Sequence, residues 1–230
     1  KKPQSYYRDV VWRRSQIEMA VHTPMPKGVF ERVSGWGWPD ETRSWTWPNR
    51  EGQLLQVAVC SRSESVRLEL NGKVIGEKPV SAATKLTATF DVPYEPGELR
   101  AIGFIAGKPV ANVMLRTAGE AQKIRLTADR STIRADRNDL SYVTVEIVDE
   151  HGMVVPTAGV PVHFTVAGAG ELAATGSSSP SDASSFRAPL RKSYQGRCLT
   201  ILRPTVNPGK ITLKAEADGL KTATITIRTQ

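Results

Sequence analysis

The chain has 230 residues, 40% apolar and 23% charged, with 31 basic and 23 acidic side chains and a net charge of +8. That length suits one large or two ordinary domains, and the composition is that of a globular protein with a solubilising surface. The basic residues are scattered, the densest knots being "WRRS" and "LRKS", with no arginine-rich helix and no RNA-binding aromatic signature, which argues against nucleic acid as a partner. No run of about 18 apolar residues occurs, so no membrane span is expected.

The N-terminal "KKPQSYYRDV" is basic and aromatic, with no apolar segment behind it, so it does not read as a signal peptide. The first residue is not methionine, which suggests a piece of a longer chain. Residues 3–14 read as a helix: Pro3 suits a first turn, and Tyr7, Val10, Val11 and Arg14 form an i, i+3, i+4, i+7 stripe. Period-2 alternation then takes over. It runs through "QIEMAVH", "LLQVAVCS" and "SVRLELN", where Asn71-Gly72 is the strongest hairpin signal because a type I′ turn needs positive φ twice. "KLTATFDV", "ELRAIGFI" and "ANVMLRT" continue it, separated by the turns "PYEPG" and "AGKPV". About seven short strands at this spacing predict a β-sandwich over 49–117, preceded by a helix-and-junction segment, 1–48.

After the polar break "TAGEAQ" a second series begins: "KIRLTAD", "SYVTVEIVDEHG", "VPVHFTV", "RCLTILR", "KITLKAEA" and "KTATITIRT". This predicts a second sandwich over 118–230, with "GSSSPSDASS" as a flexible loop. The expected fold is therefore all-β, two immunoglobulin-like sandwiches in tandem after a short helix.

Four of the five tryptophans lie in "GWGWPDETRSWTWPN": Trp36, Trp38, Trp45 and Trp47. Two readings stay open for them. Aromatic faces on a surface segment stack on sugar rings, which makes these four the carbohydrate-contact candidates. The same rings buried under a neighbouring element are packing. Trp45 and Trp47 are two apart, as are Trp36 and Trp38, so each pair shares a face if its segment is extended.

The remaining chemistry is sparse. Cys60 and Cys198 are 138 positions apart, each within an apolar alternating run, and read as buried free thiols. Asp136, Asn138 and Asp139 have a spacing seen in some calcium loops, but a turn before a strand accounts for them, so no metal or other cofactor is expected. Asp40-Glu41 and Asp149-Glu150 read as turns. His22, His151 and His163 lack ligand spacing, and neither a Gly-x-Ser-x-Gly elbow nor a phosphate-binding glycine loop occurs.

The stretch "SWTWPNREGQLLQVAVCSRSESVRLELNGKVIGEKPV" resembles the region after the catalytic barrel in family 2 glycoside hydrolases of the β-galactosidase type, through Trp45, Trp47, Glu51, Gly52, Leu68, Leu70, Asn71, Gly72 and Gly76. "DVPYEPGELRAIGFIAGKPVA" extends the likeness, and "KPQSYYRDVVW" is similar to the last barrel helix of those enzymes. The second half resembles bacterial immunoglobulin-like modules. Two positions depart from the family pattern: its histidine before the first matched tryptophan is Ser44 here, and its Gly-Asn-Gly-Asp-Pro loop is Gly176-Ser177-Ser178-Ser179-Pro180. The resemblance implies a secreted or periplasmic bacterial β-galactosidase-like parent, with this chain as an accessory region that supports the barrel. A retaining glycosidase needs two carboxylates about 5–5.5 Å apart, which the family carries on its barrel. This chain has no repeating β/α pattern, so no catalytic residue and no glycosidase activity are expected from it alone. A carbohydrate-binding module built on the tryptophans, and an adhesion or spacer protein of immunoglobulin-like units, are the alternatives.

Overall fold

A computed structural model describes residues 3–26, 28–35 and 37–230; Trp36 lies outside the described residues. The chain divides into two compact units, Lys1–Thr117 and Ala118–Gln230.

The first unit opens with helix α1 (Pro3–Val11), shorter than the sequence stripe predicts. It stops because Arg13 adopts a left-handed φ of 60°. The Arg14 N–H then donates to the Asp9 carbonyl at 2.8 Å and the Arg13 N–H to the Val10 carbonyl at 3.2 Å. Those are the two bonds of a Schellman stop, made here without glycine. Val10, which has no exposed surface, is the helix residue most deeply packed.

Eight strands follow: β1 (Ile17–His22), β2 (Glu41–Thr42), β3 (Leu54–Ser61), β4 (Ser65–Leu70), β5 (Lys73–Pro79), β6 (Thr87–Pro93), β7 (Glu98–Ile105) and β8 (Lys108–Arg116). They form two antiparallel four-stranded sheets, ordered β2-β1-β3-β6 and β5-β4-β7-β8. Alternation decides which side chains face inward. Met19, Val21, Val57, Val59 and Phe90 from one sheet meet Val66, Leu68, Leu99 and Ala101 from the other in a single core. The segment before residue 49 belongs to this sandwich: β1 pairs along β3, Met19 opposite Val59, and Trp45 is a core residue. The expected hairpin is present, with Asn71 at φ 51° and Gly72 at φ 79°.

The second unit carries β9 (Lys123–Ala128), β10 (Thr132–Ile133), β11 (Ser141–Val148), β12 (Pro161–Gly168), β13 (Gly170–Gly176), β14 (Leu190–Lys192), β15 (Arg197–Pro204), β16 (Gly209–Glu216) and β17 (Ala223–Thr229). Its sheets are ordered β13-β15-β11-β9 and β10-β17-β16-β12-β14, antiparallel except for the short β10, which runs parallel to β17. Val143, Val145, Ile147 and Leu202 of the first sheet pack on Val162, Phe164, Ile211, Leu213 and Ile227 of the second. Strands β10, β13 and β14 escape a reading by periodicity. Two are only two and three residues long, and β13, "GELAATG", lacks clean alternation and carries a register shift between Leu172 and Ala174.

Candidate functional site

The tryptophan segment separates into a buried latch and an exposed strap. Trp45 has no exposed surface. Its indole stands edge-on to Tyr94, ring centroids 5.0 Å apart, and its Nε1–H donates to the Glu95 carbonyl at 2.9 Å. Its own carbonyl accepts from the Thr117 hydroxyl at 2.6 Å, and the Tyr94 hydroxyl accepts the Trp47 N–H at 3.2 Å. Trp47 is half-buried against the same core. Ser44 makes a local turn, its hydroxyl accepting the Thr46 N–H at 3.1 Å. This latch closes the end of the first sandwich, and the Trp45 ring is wholly committed to packing.

Trp38 is different: 46% of its surface is exposed. Its ring lies 6.2 Å from Tyr7 and 5.8 Å from the Arg8 guanidinium, both on α1. It ends a strap that leaves β1 at Thr23 and returns at Asp40, where the Thr23 N–H donates to the Asp40 carbonyl at 2.7 Å. Glu31 pins the middle. One carboxylate oxygen lies 2.9 Å from His22 Nε2 and the other accepts the Asp40 N–H at 2.6 Å. Those two hydrogen bonds, His22 first, hold the Glu31 carboxyl below the usual carboxylate range, whereas burial pushes neighbouring Glu41 up. Arg43, just after β2, ties β1 to α1 by pairing with Glu18 at 3.2 Å and lying 4.3 Å over the Tyr6 ring. Phe30 is 90% exposed, and Val29, Val33 and Trp12 are exposed apolar side chains as well.

A second clamp joins two turns. Asn71 of the β4–β5 hairpin donates from Nδ2 to the Pro96 carbonyl at 3.1 Å and accepts the Glu98 N–H at Oδ1 at 2.8 Å. Gly97 lies beneath it at φ +137°, where an added Cβ would overlap Asn71 Oδ1. The asparagine therefore does more than permit a turn: it locks "LNG" to "EPG".

In the second unit the serine-rich loop is tied rather than loose. Arg191 of β14 is 1% exposed. Its Nη1 meets Asp182 at 2.7 Å, Nη2 donates to the Ser185 carbonyl at 2.7 Å, and Nε donates to the Thr175 hydroxyl at 3.2 Å. Asp182 also accepts the Ser184 hydroxyl and N–H and the Ser177 hydroxyl. Those bonds, Ser184's first and then Arg191's, hold its carboxyl well below the usual range. The signal available in sequence was a lone aspartate in a serine run; the inward place of Arg191 was not legible, because β14 is only three residues long.

The remaining candidates resolve into structure. Asp136 Oδ1 accepts the N–H groups of Asn138 and Asp139 at 2.9 and 2.8 Å, and Asp139 pairs with Arg130 at 2.7 Å, so these oxygens are already used within a turn. Asp149 likewise closes a turn, accepting the Gly119 and Met153 N–H groups at 2.9 and 2.8 Å. Among the described residues no group of three His, Cys, Asp or Glu side chains could hold a metal. Cys60 and Cys198 are both free; Cys198 is buried as expected, whereas Cys60 takes an outward position of β3 and is only half-buried, and desolvation raises both thiols, Cys198 to about 12. No helix among the described residues is long and apolar enough to cross a membrane.

Two antiparallel β-sandwiches in series, the first closed by a tryptophan latch, define a protein of the tandem β-sandwich class. Residues 124–226 match the family described as "Glycoside hydrolase family 2 C-terminal domain 5", and residues 52–111 match a domain of unknown function, DUF4982. Over 80% of its length the chain is 36% identical to a β-galactosidase of Bacteroides ovatus, BoGH2A, of which it spans 21%. Over 55% it is 35% identical to a β-galactosidase of Thermoanaerobacter pseudethanolicus, of which it spans 15%. A crystal structure of a glycosyl hydrolase family 2 member from Bacteroides cellulosilyticus superposes over 100% of the chain with a TM-score of 0.94 at 35% identity, the chain spanning 30% of that protein. The chain belongs to glycoside hydrolase family 2, as a C-terminal region of it.

Proposed function

We propose that this chain is the non-catalytic accessory region of a longer, secreted or periplasmic bacterial glycoside hydrolase acting on β-galactosides, and that it supports the catalytic barrel of that enzyme. The observation that carries the reading is the match itself. Both sandwiches align, in order, with a fifth to a third of enzymes between three and four times as long. The exposed apolar side chains just after α1 and on the strap, Trp12 and Phe30 at 65% and 90% exposure, are the ones we assign to contact with the barrel. Trp45 and Trp47 then serve the sandwich, and Trp38 braces the strap on α1.

The test is an assay of the chain on a chromogenic β-galactoside. The expected rate is that of buffer. Turnover abolished by substituting one of the chain's own carboxylates would overturn the reading. Saturable galactoside binding lost on Trp38→Ala would move Trp38 from packing to substrate contact.

A further inference from the structure

The second unit contains an open cleft of about 700 Å3. Three segments wall it: 156–159, the serine-rich loop, and the end of β14 with the turn after it. Each wall is held by interactions spent inside the protein. Arg191 and Asp182 fix the serine wall, as described above. The Ser193 hydroxyl donates to the Ala158 carbonyl at 2.7 Å and accepts the Val160 N–H at 2.9 Å, joining β14 to the 156–159 wall. The Gln195-Gly196 turn has φ values of 50° and 71° and closes a hairpin in which Tyr194 and Arg197 exchange backbone bonds of 2.8 and 3.0 Å. A Cβ on Gly196 would overlap the Val155 carbonyl oxygen, so only glycine lets the turn sit against that wall.

Four polar residues that line the cleft have side chains not spent inside the protein, Thr157, Lys192 and Gln195 being exposed and Tyr194 half-buried. The Thr157 hydroxyl, the Lys192 ammonium, the Tyr194 phenol and the Gln195 carboxamide line it and make no hydrogen bond or ion pair to another described residue. Three of the four can both donate and accept, and one of them, Tyr194, brings a half-buried aromatic ring. That is the chemistry of a polyhydroxylated ligand: alternating donors and acceptors on the ligand meet groups of both kinds, and a preformed wall reduces the entropy cost of binding. The volume suits a disaccharide-sized molecule. A phosphate site would need several free cations or N–H groups, and Arg191 is already committed to Asp182. Lys192 is the one cation in the lining, with no counterion among the described residues, and it suits an acidic substituent on the sugar.

We propose that this cleft is an oligosaccharide site that prefers acidic sugars, with Lys192 taking a carboxylate or sulfate and Tyr194, Gln195 and Thr157 taking hydroxyls. The inference rests on side chains of the second unit alone, so its failure leaves the accessory reading standing.

The experiment is calorimetric titration of the full chain with a glucuronate-containing disaccharide, a sulfated galacto-oligosaccharide and neutral galactobiose. Acidic sugars should bind more tightly than neutral, and less tightly as salt rises. Lys192→Gln should weaken acidic binding about fivefold and leave neutral binding unchanged. Tyr194→Phe should weaken binding of every sugar about fivefold to tenfold through one lost hydrogen bond. Circular dichroism of each variant checks the fold, and amide shifts at Ser181 and Gln195 on titration should locate the ligand. No saturable binding, equal affinity for acidic and neutral sugars, or acidic binding untouched by Lys192→Gln would overturn the proposal.

Discussion

Trp45 is where the sequence left two readings open, and replacing it measures how much of the first sandwich the latch supports. Trp45→Ala removes a fully buried indole, its edge-on contact with Tyr94 at 5.0 Å and its bond to the Glu95 carbonyl. Aromatic-to-alanine changes at such sites cost about 3–5 kcal/mol, from lost transfer energy plus the cavity left behind. With a urea dependence of about 2 kcal/mol per molar for a unit of this size, the midpoint falls by about 2 M. Trp45→Phe keeps much of the ring and loses the N–H, so it should cost about 1–2 kcal/mol. The two cysteines report the units separately, because Cys60 lies in β3 and Cys198 in β15. Pulsed alkylation across a urea series, read by peptide mass, should show Cys60 of Trp45→Ala reacting at lower urea while Cys198 keeps the parent midpoint. An unchanged Cys60 midpoint would refute the reasoning, since it would mean that the buried indole contributes nothing to this core.

Gly97→Ala should destabilise the first unit by about 2–3 kcal/mol, from a disfavoured φ and the overlap with Asn71. Much of that should return in Asn71→Ala/Gly97→Ala, and additive costs in the double-mutant cycle would count against the clamp. Arg13→Gly should stabilise the helix stop by about 0.5–1 kcal/mol, read as a rise in the Cys60 midpoint, because Arg13 holds a left-handed φ of 60°. Asp182 has a depressed carboxyl, so its contribution is present above the ordinary carboxylate range and is lost as pH falls through its lower folded value. Accordingly Asp182→Asn should lower the stability of the second unit at pH 7 and flatten its acid dependence below about pH 4; parallel pH profiles would exclude this. Cys198, raised to about 12, should resist maleimide at pH 8 until its unit unfolds.

The sequence by itself determined the class of fold, the order of the two sandwiches and the kinship. Strands such as β3 and β4 alternate strictly, and turns such as Asn71-Gly72 need positive φ; both signals are local, carried by neighbours a few residues apart. The helix stop at Arg13 was invisible because it used an arginine where a glycine is the usual mark. What the tryptophans touch was decided only in three dimensions. Trp45 is buried by a tyrosine 49 positions away, Trp38 stays exposed beside α1, and no periodicity in "GWGWPDETRSWTWPN" distinguishes them. Arg191 makes the same point from the second unit. As a sequence character it is one of 31 basic residues. Only the fold places it inward, opposite Asp182, where a charge removed from water must find its partners, and where it turns a serine-rich loop into a wall.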